Sequence, residues 1–107
     1  MSEQKKSRRQ MLEEFVVEKP DDAFSRYGLA IECMNSGDAS AAESHFRALL
    51  ERNPDYVPAY LMFAQMLARE SRTSDAKQIL SSGIVAAIKK GDEHARSEMD
   101  ALLGDLG

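Results

Sequence analysis

From residue 20 onward, apolar side chains recur every three or four positions, the spacing of one helix face. Phe24, Tyr27, Ala30, Ile31 and Met34 form the first such stripe. Asp21 or Asp22, behind Pro20, is placed to cap the helix with a short acidic side chain. The run Asn35-Ser36-Gly37 ends it, because Gly37 can turn the chain through the left-handed region. A second helix then starts at Asp38 or Ser40, with Glu43 placed for a capping box behind Ser40. Ala42, His45, Phe46, Leu49 and Leu50 mark its apolar face, and Asn53-Pro54 stops it.

The same plan returns 34 residues later. Pro20 falls on Pro54, Asp21 on Asp55, Leu29 on Phe63, Ala30 on Ala64, Ser40 on Ser74, Ala42 on Ala76 and Phe46 on Leu80. Small residues fall on small and large apolar residues on large, as a repeated packing environment requires. Tyr60, Phe63, Ala64 and Leu67 predict the first helix of the second copy, and Glu70–Thr73 the turn. Ala76, Ile79, Leu80, Gly83, Ile84 and Ala87 predict the next helix. Ile88 stands where proline stood one repeat earlier, so this helix should run on to about Lys90 and stop at Gly91. Asp92 then caps a last helix bearing Ala95, Met99, Leu102, Leu103 and Leu106. Upstream, Leu12, Phe15 and Val16 precede Phe46, Leu49 and Leu50 by the same interval, which predicts half a repeat before Pro20. The expected chain is all-α: six helices and no strand.

These residues resemble the tetratricopeptide repeat (TPR) family. Its unit places a large apolar residue before a small one midway through the first helix, as in Leu29-Ala30 and Phe63-Ala64. A small residue, a large one four later and a closing proline follow, here Ala42, Phe46 and Pro54, then Ala76 and Leu80. Tyr60 matches the bulky residue near the start of the first helix, whereas Arg26 replaces it in the first copy. The resemblance covers residues 20–88 and implies a right-handed superhelix of helix-turn-helix units. The expected organisation is a single TPR-like domain: tail and half-repeat helix at 1–19, repeats at 20–53 and 54–90, and a capping helix at 91–107. Small residues where helices cross allow close approach, and the large ones fill the seam.

Composition narrows the chemistry further. The 107 residues are 43% apolar and 30% charged, enough for one core without staples. The single cysteine, Cys33, cannot form an internal disulfide and fits a reducing, cytoplasmic setting. No apolar run is long enough to cross a membrane. A net charge of −4 argues against nucleic acid as partner. The basic run Lys5, Lys6, Arg8 and Arg9 reads as a solvated, fraying end. His45 and His94 read as surface residues, and no His or Cys pair has zinc spacing. Gly37, Gly83 and Gly91 are isolated and build no phosphate loop. No catalytic residue, metal site or cofactor is expected.

What remains is recognition. In TPR proteins the first helices line a concave groove that receives a peptide or helix. The resemblance therefore implies Phe24, Tyr27, Ile31, Met34 and Asn35 as groove residues of the first copy, and Leu61, Met62, Gln65 and Arg69 of the second. Some members grip acidic chaperone tails through Lys, Asn and Arg at set positions. Tyr27, Ile31 and Met62 hold those positions here, so that carboxylate-gripping set is missing. The expected ligand is an apolar helix or extended peptide of a partner protein, received by a Met-rich, adaptable surface. The expected protein is a monomer or weak homodimer. The alternative is a structural or self-associating protein whose groove is filled by its own chain or a second copy.

Overall fold

The computed structural model describes residues 5–107, so the first four residues of the basic N-terminal segment lie outside it. Six α-helices and no strand occur among the described residues: α1 (Arg8–Glu18), α2 (Ala23–Asn35), α3 (Ala39–Arg52), α4 (Val57–Arg69), α5 (Thr73–Lys90) and α6 (Glu93–Asp105). The chain divides into two compact units, Met1–Ala48 and Leu49–Gly107, the boundary falling inside α3.

In the first unit, α1 packs against α2. Ser7 caps α1: its hydroxyl accepts from the Gln10 N–H while the Gln10 side chain accepts from the Ser7 N–H. Arg8 and Arg9 are thus helical, not part of a fraying end. They pair with Glu32 at 3.3 Å and Asp38 at 3.0 Å. Asp22 caps α2 through Ser25, as the sequence predicts. Asp38, not Ser40, starts α3 by accepting from the Ala41 N–H at 3.2 Å, and Glu43 pairs with Arg47 instead of closing a capping box. Burial falls on Val16, Leu29, Ala30, Cys33, Ala42 and Phe46. Phe15, expected to match the fully buried Leu49, is 40% exposed, and Val16 takes the buried place on α1.

In the second unit, α5 packs against both α4 and α6. Its core gathers Val57, Tyr60, Ala64, Leu80, Ala86, Ala87 and Met99, with Leu102 and Leu103 of α6 and Leu106 just past its end packed against it. Pro58 sits in the first turn of α4, where its missing N–H leaves no helical bond unmade. Asp92 caps α6 through the Ala95 N–H at 3.1 Å.

The turn within each repeat closes alike. The Asp38 N–H donates to the Cys33 carbonyl and, 34 residues on, the Arg72 N–H donates to the Leu67 carbonyl, the six-to-one bond of a Schellman ending. Gly37 takes the required left-handed conformation at φ 81°, and Ser71 occupies the same place at φ 60°. A side chain in that region costs about 1 kcal/mol. Ser71→Gly is therefore expected to stabilise the chain by roughly 0.5–1 kcal/mol, read as a raised denaturation midpoint at unchanged slope.

Candidate partner-binding site

The residues expected to bind a partner sit on one stripe of α2 and one of α4. On α2, Phe24, Tyr27, Ile31 and Met34 are spaced by three or four, so they share a helix face. Phe24 is 76% exposed, an unusual position for a phenylalanine, while Tyr27, Ile31 and Met34 are half-buried and Asn35 is exposed. Their apolar flanks are therefore partly in water.

On α4, Leu61 and Met62 are half-buried and Gln65 and Arg69 are exposed. Leu61 also packs against the core of its own unit, so part of its surface is committed to folding. Gln65 and Arg69, with Ala68, line a shallow cavity of about 300 Å³ whose other wall is Leu102 of α6. Leu102 is a neighbour that the sequence placed only in the closing helix's core stripe. The α4 stripe is thus more polar toward its C-terminal end than the α2 stripe.

Titratable groups offer little chemistry. Burial pushes the Cys33 thiol up, away from the thiolate a nucleophile needs, and Cys33 has no exposed surface. His45 is half-buried, not on an open face. Burial lowers its pKa, helped by Arg26 and Arg9 and opposed by Glu13 and Asp38. The bond from the Ala41 N–H, followed by Arg9, holds the Asp38 carboxyl below its ordinary value. These groups serve capping and packing. No cluster of three metal-ligating side chains occurs among the described residues, and none of their helices is long and apolar enough to cross a membrane.

Comparison with known proteins places this architecture. A tetratricopeptide repeat family model matches residues 34–103, more than half of the chain. A tetratricopeptide repeat domain protein from Salinibacter ruber, solved by solution NMR, is 34% identical, with 82% of this chain and 89% of that one covered and a TM-score of 0.77. A solution structure of a Bordetella parapertussis protein is 25% identical over 95% of this chain and 89% of that one, with a TM-score of 0.80. A TPR repeat-containing protein of Pseudomonas aeruginosa is 27% identical over 95 residues, 89% of this chain and 90% of the relative. The chain belongs to the tetratricopeptide repeat family. As a class, such helical repeats are protein-interaction modules.

The family match runs into α6. Asp22, Tyr56 and Asp92 each precede a helix of 13 residues. The match thus takes in most of the helix that the sequence places at the close of the array.

Proposed function

We propose that this chain is a cytoplasmic binding protein, not an enzyme, that receives an apolar helix or extended peptide of a partner protein on the exposed faces of α2 and α4. It acts as one module of a half repeat, two repeats and a closing helix. Phe24, Tyr27, Ile31 and Met34 supply apolar contact area, and Leu61 and Met62 extend it. Asn35, Gln65 and Arg69 hydrogen-bond the ligand's backbone. The observation that carries this reading is the stripe on α2, headed by a phenylalanine 76% exposed to water. Such a side chain gains free energy only when something covers it, about 25 cal/mol for each Å² of apolar surface removed from water.

The test uses affinity capture with the chain as bait, followed by a binding assay on the captured protein. Tyr27→Ala combined with Met62→Ala is expected to weaken that binding at least tenfold. Both side chains are only half-buried, so the helical signal and melting temperature should stay nearly unchanged. Undiminished binding by the double variant would contradict the reading. So would a stable homodimer that protects both residues from solvent.

A further inference from the structure

A further apolar concavity lies within the second unit and is lined by none of the residues expected to bind a partner. Pro54, Asp55, Tyr60 and the C-terminal half of α5 line an open cavity of about 540 Å³, to which α5 contributes Val85, Ala86, Lys89 and Lys90. That volume is within the range of sites that hold a ligand group, about 300–1,000 Å³. The Tyr60 hydroxyl donates to the Pro54 carbonyl at 2.6 Å, so the tyrosine's polar tip is already satisfied. Val85 remains 52% exposed, and Ile88 one turn on is 59% exposed.

Charge sets what fits there. The chain as a whole is acidic, at −4, yet α5 carries Lys77, Lys89 and Lys90 against Asp75 alone. Asp75 is held by Arg72 at the far end of the helix. At the cavity, Asp55 engages Lys90 at 3.6 Å, and Lys89 has no ion-pair partner among the described residues. Two lysines in the last turn complement the helix dipole. That role accounts for their charge but not for the exposed valine and isoleucine beside them.

We propose that this side of α5 is a second binding site, for an extended partner peptide carrying a large apolar side chain followed closely by carboxylates. The apolar side chain enters beside Tyr60, Val85 and Ala86, and a carboxylate pairs with Lys89. A second copy's α1 also shows exposed Met11 and Phe15 beside Glu14 and Glu18. However, Glu14 of that helix is already held by Lys6 of its own chain at 2.5 Å. A head-to-tail contact of that kind would also propagate into filaments unless it closed a ring. The site shares no residue with the proposed α2 and α4 stripes, and its failure leaves their proposed role untouched.

The experiment titrates the isotope-labelled full chain with three short peptides and follows backbone amides by NMR. The probes are acetyl-Gly-Ser-Leu-Phe-Asp-Glu, its charge-reversed form ending in Lys-Lys, and a form with Ser-Ser in place of Leu-Phe. The first is expected to shift the amides of Val85, Ala86 and Lys89, with the other two at least tenfold weaker. Lys89→Glu, an exposed change, should weaken the acidic peptide at least tenfold and restore binding of the basic one. Equal binding of all three peptides, shifts confined to other helices, or an unaffected Lys89→Glu variant would each overturn the proposal. Shifts at Val85 that follow protein concentration without peptide would assign the face to a second copy and overturn it too.

Discussion

Gly83→Ala is expected to lower the melting temperature by roughly 10 °C, although alanine is ordinarily the better helix former by about 1 kcal/mol. A Cβ built on Gly83 would stand 2.5 Å from Tyr60 Cβ and 2.6 Å from Met99 Sδ. The first of these atoms is fixed to the α4 backbone, and Met99 is fully buried, so neither neighbour can withdraw freely. Overpacking of this kind costs about 1–3 kcal/mol, and a contact this close to the backbone belongs at the upper end. Gly104 is the internal comparison. It lies in α6, and a Cβ there would meet nothing within 4 Å. Gly104→Ala is therefore expected to raise stability by about 0.5–1 kcal/mol. Two glycine-to-alanine changes in adjacent helices thus move stability in opposite directions, which thermal denaturation resolves directly.

The largest effect is expected from Ala76→Glu. Ala76 and its counterpart Ala42, 34 residues earlier, have no exposed surface. A carboxylate at either place must be buried without a partner or force its helix away. The uncompensated charge costs about 3–5 kcal/mol, which approaches the whole stability of a small domain. Circular dichroism at 25 °C should show a largely unfolded chain for Ala76→Glu and for Ala42→Glu. Ser74→Glu, an exposed acid in the first turn of α5, should change stability by no more than about 0.5 kcal/mol. A folded Ala76→Glu variant would refute the placement of the repeat's small residues at helix crossings.

Most of the helix order was legible because local residues enforce it. Asp22 and Asp92 cap, Gly37 and Gly91 take φ above zero, and Pro54 ends a helix, all within a few residues of the boundary they set. Elsewhere the boundary carries no such mark. Tyr56 and Arg72 open α4 and α5 without any side-chain cap, and Ser71 adopts a conformation that its residue type disfavours. The Ser7–Gln10 capping box was present in the sequence but lay inside a basic run that reads as a solvated end.

The candidate site was legible only as a stripe. Helical spacing groups Phe24, Tyr27, Ile31 and Met34, but their exposure depends on which elements arrive beside them. Leu61 is accordingly drawn toward the core, and Leu102 joins Gln65 and Arg69. Gly83 is a similar case. It read as one more member of the α5 stripe, and its role emerges only where Tyr60 and Met99 converge on it. The cavity beside Val85 and Lys89 likewise needs Pro54 and Tyr60, which lie far away in sequence.

In the proposed function a partner protein covers the α2 and α4 faces. Methionine methyl NMR tests it most directly, because the six methionines include both candidates and controls. Met34 and Met62 sit on the proposed faces, Met11 is exposed on α1, and Met66 and Met99 are buried. On addition of the captured partner's binding segment, the Met34 and Met62 methyls are predicted to shift together and saturate at one affinity, while Met11, Met66 and Met99 stay in place. Binding that leaves Met34 and Met62 unmoved, or shifts of both with protein concentration alone, would rule out partner binding on these faces.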